Sequence, residues 1–253
     1  MKLHFLDGYI QTIVLAEYPD KLLLLDGCSR ADVALVTHFI TNTLSRPLTN
    51  LQLIVVTHMH PDHAGGAHKL REITGCKIAS ANVAGHWYKG FSGIMMHCLD
   101  ILLTHWVAGK KNKPKRWLYY SRKLSPDFTL NHFDVLPYFP DWRTIDCKGH
   151  TDRDISVQHI PSNRIYVADL IVKVKGHFIS PYPIFYPDSY KLSVKRIANL
   201  KPNSIILAHG GEVTLSESDY ELVLEHAPET PKTYKNSFKK ALAKRMAAFQ
   251  RKR

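Results

Sequence analysis

The sequence contains little cysteine and no uninterrupted apolar run of about 18 residues, the length that a helix needs to cross a bilayer. Its four cysteines are scattered and form no Cys-x-x-Cys pair. This argues against a secreted domain held together by disulfides and favours a reducing compartment. The first seven residues already contain two charges, unlike the start of a secretion signal. These absences predict a cytoplasmic protein without a membrane span.

Acidic residues are missing from residues 110–123 and 232–253, and these two stretches contain 16 of the 34 lysines and arginines. The rest of the chain has 18 basic and 22 acidic residues, so the net charge of +12 originates in the two stretches. A body with an excess of acids is poorly suited to a nucleic-acid cleft, although basic patches bind phosphates at a distance. We therefore expect a small-molecule substrate, with nucleic acid the less favoured partner.

Hydrophobic residues make up 45% of the chain, enough for a sizeable core. Apolar runs predict strands, and apolar spacings of three to four residues predict helices. The predicted strands are Leu3–Phe5, Ile10–Glu17, Lys21–Leu25, Leu51–Val56 and Ser204–Leu207; the predicted helices include Ala31–Leu44, Ser189–Leu200 and Glu217–His226; Phe178–Pro187 is predicted to be a loop. Periodicity alone thus indicates an α/β fold.

The most informative stretch runs from Thr57 to Gly66, where His58, His60, Asp62 and His63 fall within six residues. It follows a predicted buried strand and precedes a helical pattern, a position where a rigid scaffold presents functional side chains. His58 and His60 alternate along extended chain, so both can point the same way. Asp62 and His63 turn into the helix and can face a second point. This arrangement suits two metal ions rather than one.

The pattern His58-x-His60-x-Asp62-His63 is similar to the signature of the metallo-β-lactamase superfamily. Four further motifs of that family occur in its order, with Asp26 after the strand Leu22–Leu25, His150 in Gly149-His150-Thr151, Asp169 in Ala168-Asp169-Leu170 and His209 in Ala208-His209-Gly210. Two departures are present. Asp152-Arg153 follows Thr151 where the family often has Pro-Gly, and Ala168 stands where it often has glycine. Neither departure removes a ligand.

The resemblance implies an αββα sandwich with a dinuclear metal centre at one edge of the paired sheets. The implied ligands are His58, His60 and His150 for the first metal, Asp62, His63 and His209 for the second, Asp169 as the bridge, and Asp26 as an acceptor that orients the ligand loop. Two zinc ions suit these ligands best, and iron or manganese are alternatives. Such a pair would hold a hydroxide that attacks a carbonyl or phosphoryl centre, with Asp62 as the catalytic residue that orients it.

The bridging aspartate disfavours the antibiotic-hydrolysing β-lactamases, because those members of the superfamily lack it. The resemblance therefore favours the glyoxalase II and lactonase-like branch, and we expect hydrolysis of an ester, lactone or thioester bond. A mononuclear iron dioxygenase acting on sulfur substrates is one alternative, and the complete second ligand set disfavours it. A phosphodiesterase or nuclease on the same scaffold is another, and the lack of a large added domain disfavours that.

Residues 81–123 are predicted to be a helical insertion into a metallo-β-lactamase-like domain of residues 1–229. Apolar residues lie almost all round one predicted helix of this insertion. One interpretation is a helix packed between the body and a loop. The other is a lid or acyl-binding wall over the metals, in which Leu102 and Trp106 contact the substrate. Tyr182 and Tyr186, in the later predicted loop, are expected to border the same cleft.

Residues 230–253 are predicted to form a basic amphipathic tail. Its apolar residues recur at steps of three to four and are Tyr234, Phe238, Leu242, Met246 and Phe249. Such a helix can bind an anionic membrane peripherally, support self-association, or pack on the acidic body of its own chain, and the last is favoured. Because every implied ligand precedes residue 210, we expect the tail not to touch the site.

Overall fold

The computed structural model describes residues 1–234 and residue 236. The predicted apolar stripe of the tail, apart from Tyr234, therefore lies outside the described residues. Within the described part, two six-stranded sheets face each other, a two-stranded hairpin lies apart from them, and helices cover the outer faces.

The first sheet has its strands in chain order: β1 (Lys2–Asp7), β2 (Thr12–Glu17), β3 (Leu22–Leu24), β4 (Leu51–Val56), β5 (Lys77–Ala81) and β6 (Phe128–Leu130). Strands β1 to β3 are antiparallel neighbours, whereas β3 to β6 are parallel. Parallel neighbours end at the same edge of a sheet. Asp26 after β3 and His58 after β4 are therefore brought together.

The second sheet contains β7 (Val135–Leu136), β8 (Phe139–Asp146), β9 (Ile155–His159), β10 (Arg164–Ala168), β13 (Ser204–Leu207) and β14 (Gly211–Val213). The order of these strands across the sheet is β14-β13-β10-β9-β8-β7. Two further strands, β11 (Val172–Val174) and β12 (His177–Ile179), form the separate hairpin. The parallel pairing of β10 with β13 brings Asp169 and His209 to one edge. The predicted loop Phe178–Pro187 was wrong at its start, because Phe178 and Ile179 belong to β12.

The helices are α1 (Val33–His38, continued by a π-helical turn Phe39–Thr43), α2 (Pro61–Ala64), α3 (Ala67–Thr74), α4 (Gly90–Lys110), α5 (Pro187–Asn199) and α6 (Glu217–Glu225). Side chains between the sheets form the central core, where Leu23 and Leu53 share a cluster with Trp142. Leu22 and Leu24 belong to the cluster on the other side of the first sheet. Both faces of β3 are thus buried, which explains its uninterrupted leucines. The predicted αββα sandwich is confirmed.

The predicted helical insertion, residues 81–123, contains α4, a helix of 21 residues. Among the described residues it is long and apolar enough to cross a membrane by length and composition, with a mean hydropathy of 1.3 and 28% of that window buried. The helix contains no uninterrupted apolar run of about 18 residues, as the sequence shows. It meets the criterion of mean hydropathy because an average over the helix tolerates His97, Asp100 and Thr104.

Candidate metal centre

Three imidazoles converge at the carboxyl end of β4 and the loop after β8. The Nδ1 atom of His60 lies 3.1 Å from Nε2 of His58 and 2.9 Å from Nε2 of His150. His58 and His60 are two residues apart in the loop before Pro61 starts α2, and both rings reach the same point. The structure thus brings together the three histidines predicted for the first metal.

A second group forms beside the first from Asp62 and His63 in α2 and from His209 after β13. The Oδ2 atom of Asp62 lies 3.3 Å from Nε2 of His63 and 3.2 Å from Nε2 of His209. Asp62 and His63 are buried, and His209 is partly exposed at the edge of the site. This is the set predicted for the second metal.

Asp169 lies between the two groups. Its Oδ2 atom is 3.7 Å from Nε2 of His150, and its Oδ1 atom is 3.4 Å from Nε2 of His63 and 3.3 Å from Nε2 of His209. One carboxylate therefore presents one oxygen to each group, as its predicted bridging role requires. The preceding residue, Ala168, has φ of 48°, a left-handed conformation that favours glycine. The backbone conformation of residue 168 therefore suits the glycine that the resembled family often has there.

The charge states of His58 and His60 suit metal binding. Burial lowers the pKa of His58 well below its ordinary value, and burial lowers the pKa of His60 to about 3. These rings are neutral near pH 7, the form that coordinates a metal.

Burial alone would raise the pKa of Asp62 and Asp169, but the protonated rings of His63 and His209 together outweigh burial, and both pKa values are lowered. Both carboxylates are therefore ionised. Burial would lower the pKa of the two rings, but the carboxylates outweigh it and raise both values, so a metal binding there would displace a proton from each ring.

Asp26 fixes the orientation of His63 from behind the site, as predicted. Its Oδ2 atom accepts hydrogen bonds from Nδ1 of His63 at 2.6 Å, from the Thr57 hydroxyl at 2.9 Å and from the Tyr166 hydroxyl at 3.0 Å. His63 must then present Nε2 to the site. A buried acceptor of this kind sets the tautomer and the direction of a metal-binding histidine.

The outer nitrogens of three more histidines also have partners. Nδ1 of His58 is 3.1 Å from the Thr57 hydroxyl, Nδ1 of His150 is 2.5 Å from the Pro183 carbonyl oxygen, and Nδ1 of His209 is 3.1 Å from the Ile10 carbonyl oxygen. A hydrogen bond from Nδ1 to a carbonyl leaves Nε2 as the free ligand nitrogen. These contacts direct the ligand atoms towards one another.

His60 differs from the other histidines because its Nδ1 atom faces the ligand group and its Nε2 atom faces outward. The partner of Nε2 comes from α4. Nε2 of His60 lies 3.8 Å from Oδ2 of Asp100, a buried residue of α4. The Asp100 carboxylate accepts a hydrogen bond from the Tyr88 hydroxyl at 2.8 Å, and Tyr234 lies beside the same carboxylate. Sequence reasoning missed Asp100 because it is the acid of an otherwise apolar helix, far along the chain from the motifs. Only its isolation among apolar residues signalled a buried role.

The position of Tyr234 corrects the expectation that the tail does not touch the site. Tyr234 lines the same cleft as His60 and Asp62, and its ring lies 5.4 Å from that of Tyr182. Backbone hydrogen bonds in both directions between Ile184 and Lys232 hold the start of the tail there. The order of motifs along the chain could not show that residue 234 lies in the cleft, because only tertiary packing brings residues after α6 back to the metal centre.

We expect Asp100→Asn to weaken metal binding by about 10- to 100-fold, because the substitution removes the negative charge facing Nε2 of His60. The affinity is measured by competition with a chromophoric chelator. Asp152→Asn is the matched control, since Asp152 lies two residues after His150 but pairs with Arg153 on the surface. Equal affinities for wild type and Asp100→Asn would remove Asp100 from the support of the site.

The two groups of ligands open into a cleft of about 570 Å³. Tyr182 lines this cleft, as predicted, whereas Tyr186 stands outside its lining at the start of α5. Leu102 and Trp106 also lie outside it and are 62% and 57% exposed. Their neighbours Leu103 and Val107 line the cleft instead. Successive helix residues point about 100° apart, so a shift of one residue changes the face.

The donor set fits divalent metals. Nε2 of His63 and Oδ1 of Asp169 are buried, and neither has a hydrogen-bond partner among the described residues. Unsatisfied buried polar atoms are costly, and a shared metal would satisfy both. Imidazole and carboxylate ligands suit zinc, iron or manganese and disfavour metals that require thiolates.

Comparison with known proteins agrees with this geometry. The family model of the metallo-beta-lactamase superfamily matches residues 6–209. A probable metallo-hydrolase, YflN of Bacillus subtilis, is 23% identical over 193 residues, which cover 65% of this chain and 66% of that protein, slightly less than two thirds of its length.

Solved structures share the fold at low sequence identity. A metallo-beta-lactamase family protein of Thermus thermophilus has a TM-score of 0.67 at 16% identity, covering 88% of this chain and 78% of that one. An archaeal metallo-beta-lactamase superfamily protein of Sulfolobus tokodaii has a TM-score of 0.61 at 20% identity, covering 88% and 84%. With the family match spanning most of its length and both ligand groups in place, this chain belongs to the metallo-beta-lactamase superfamily.

Proposed function

We propose that this protein is a metal-dependent hydrolase that uses two metal ions, zinc in the first instance, to cleave an ester, lactone or thioester of a small molecule in the cytoplasm. The observation that carries the proposal is Asp169, whose two oxygens face the two ligand groups separately. A shared carboxylate of this kind is typical of two-metal hydrolytic sites.

Bound metals would supply a water acidified towards neutral pH and a Lewis acid for the carbonyl oxygen of the substrate. The protein residues perform the rest. Asp62 is ionised and lines the cleft, so it can accept a hydrogen bond from the attacking water and orient it. Asp26 and Asp100 hold the rings of His63 and His60, so that the ligand atoms need little reorganisation during the reaction.

The walls of the cleft support an acyl substrate. Ile10, Leu103, Val107 and Val172 give it apolar sides, and Lys111 and Lys173 contribute positive charge. Each CH₂ group of an acyl chain buried against such walls gains about 0.8 kcal/mol. An acyl compound with a negatively charged group would use both features of the cleft.

The test is elemental analysis combined with a panel of substrates. Protein purified without chelator and then loaded with zinc or manganese should bind two metal equivalents per chain. It should hydrolyse chromogenic lactones or thioesters faster than phosphodiesters and β-lactams, and removal of the metal should abolish this activity. His60→Ala should lose one equivalent and nearly all hydrolysis.

Other outcomes would select the alternatives. One equivalent of iron with oxygen uptake on a sulfur substrate would replace the hydrolase by a dioxygenase. Preferential cleavage of phosphodiesters would instead move the protein to the phosphodiesterase branch. Two bound metals with no turnover on any substrate class would contradict the proposed reaction and leave the metal site intact.

A further inference from the structure

Helix α4 has its polar face inside the protein and its apolar face outside. Its buried residues recur at every third or fourth position and are Gly93, His97, Asp100, Thr104 and Ala108. Its large exposed residues are Phe91, Ile94, Met95, Leu99, Leu102 and Trp106, between 39% and 78% exposed. A helix that borders water normally turns its apolar stripe inward. The arrangement of α4 indicates that its outer face meets something other than water.

The exposed side chains form one continuous stripe. Phe91, Met95, Leu99, Leu102 and Trp106 follow one another at steps of three or four residues along the full length of the helix. Scattered apolar residues on a surface need no explanation, but a contiguous patch of this kind marks an interaction site.

The inner face of α4 excludes a transmembrane arrangement. Asp100 is buried and accepts a hydrogen bond from the Tyr88 hydroxyl, and the ring of His97 packs 4.9 Å from that of Tyr88 and 4.7 Å from that of Tyr120. Transfer of these polar groups into lipid would cost several kcal/mol. The helix would instead lie along an apolar surface with only its outer face in contact.

The charges around α4 point to an anionic surface. Between residues 82 and 126 the only acidic residue is Asp100, whereas the basic residues are Lys89, Lys110, Lys111, Lys113, Lys115, Arg116, Arg122 and Lys123. The ammonium group of Lys110 lies 3.9 Å from the centre of the Trp106 ring, at the end of the apolar stripe. Tryptophan beside lysine is typical of the boundary between headgroups and acyl chains.

A second copy of the chain fits the same face less well. Pairing two outer faces of α4 would bring two sets of lysines and arginines together without an acidic partner between them. Like charges in such contact disfavour association, whereas anionic headgroups neutralise them.

We propose that the outer face of α4 docks on an anionic lipid surface, with the apolar stripe in the headgroup region and Lys110, Lys115 and Arg116 on lipid phosphates. This docking is independent of the proposed reaction. The opposite side of the same helix lines the cleft through Asp100, Leu103 and Val107, so docking would place the mouth of the cleft close to the membrane.

Sedimentation with vesicles tests the proposal on the full chain. It should pellet with vesicles of phosphatidylcholine containing one quarter phosphatidylglycerol, should not pellet with phosphatidylcholine alone, and should be released as salt increases. The double variant Leu102→Gln with Trp106→Gln should lower the partition coefficient by about tenfold. Lys110→Gln, Lys115→Gln and Arg116→Gln together should lower it similarly.

Leu192→Gln is the matched control, because Leu192 on α5 is 62% exposed, the same fraction as Leu102. It should leave pelleting unchanged. Unfolding temperature and metal content, measured for every variant, show whether the fold and the site remain intact.

Cys98 gives a second readout within the stripe. It is exposed on α4, whereas Cys28, Cys76 and Cys147 are buried, so a thiol-reactive fluorophore reports on this face. The emission of the fluorophore on Cys98 should shift to the blue when anionic vesicles are added, because its surroundings become less polar.

Three results would overturn the proposal. The first is no pelleting of the wild-type chain. The second is pelleting that the α4 variants leave unchanged, which would assign the binding to the basic tail. The third is a dimer in analytical ultracentrifugation that is lost in the Leu102 and Trp106 variant, which would make a second copy the occupant of this face.

Discussion

Asp169→Asn is expected to lower kcat by at least about 100-fold and to weaken the binding of at least one metal. The substitution keeps the size of the side chain but removes the negative charge that faces both ligand groups. Mutation of residues that only support a metal ligand costs about 10- to 100-fold, so loss of the shared ligand itself should cost at least as much. Steady-state kinetics and metal content per chain, measured on the same preparation, check both effects.

Asp20→Asn is the control for this experiment, because Asp20 is an exposed carboxylate in the turn between β2 and β3. It should match wild type in rate and in metal content. If Asp169→Asn kept the wild-type rate with two metals bound, Asp169 would not be the bridge.

Gly149→Ala is expected to destabilise the protein by roughly 3–5 kcal/mol and to displace His150. Gly149 has φ of 150°, and a Cβ atom built on it would lie 2.4 Å from Cα of Tyr190 in α5. The backbone of α5 cannot move aside like the end of a flexible side chain. Backbone strain of about 1–3 kcal/mol adds to overpacking of similar size. Thermal unfolding should show a drop in Tm on the order of 10 °C.

Gly176→Ala measures the cost of backbone strain alone, without the steric clash that a Cβ atom at residue 149 would make with Tyr190. Gly176 has φ of 86°, and no atom lies within 4 Å of a Cβ built there. We expect it to lose only about 1–2 kcal/mol. If both variants lost the same amount, close packing of Gly149 against α5 would not be what restricts that position. A Gly149→Ala protein that folds should also bind less metal, because Gly149 immediately precedes His150.

The sequence predicted most of the fold where local signals agreed with burial. Leu51–Val56 and Ser204–Leu207 are strands with the predicted bounds, because their apolar residues Leu53–Val56 and Ile205–Leu207 suit strands buried on both faces. The predicted helix Ser189–Leu200 begins two residues earlier, at Pro187, since proline suits the first turn of a helix. Short strands such as β11 and β12 were missed because three residues carry too little periodicity.

The ligand set was accessible from the sequence because its motifs are short and local. His58, His60, Asp62 and His63 come from one turn, and each remaining ligand follows a buried strand. The residues that orient these ligands were accessible only in part. Asp26 lies in a motif, whereas Asp100 and Tyr234 come from the insertion and from the start of the tail.

The sequence by itself determined the side chains of the candidate metal centre, the strands that present them and the basic character of residues 110–123 and 232–253. Tertiary structure decided which face of α4 is buried. Apolar residues surround that helix in sequence, so periodicity could not choose a face. The buried face is the one that contains Asp100, because only there do Tyr88, Tyr234 and His60 lie around its carboxylate. Because a buried carboxylate needs such partners, burying it left the apolar stripe of α4 outside.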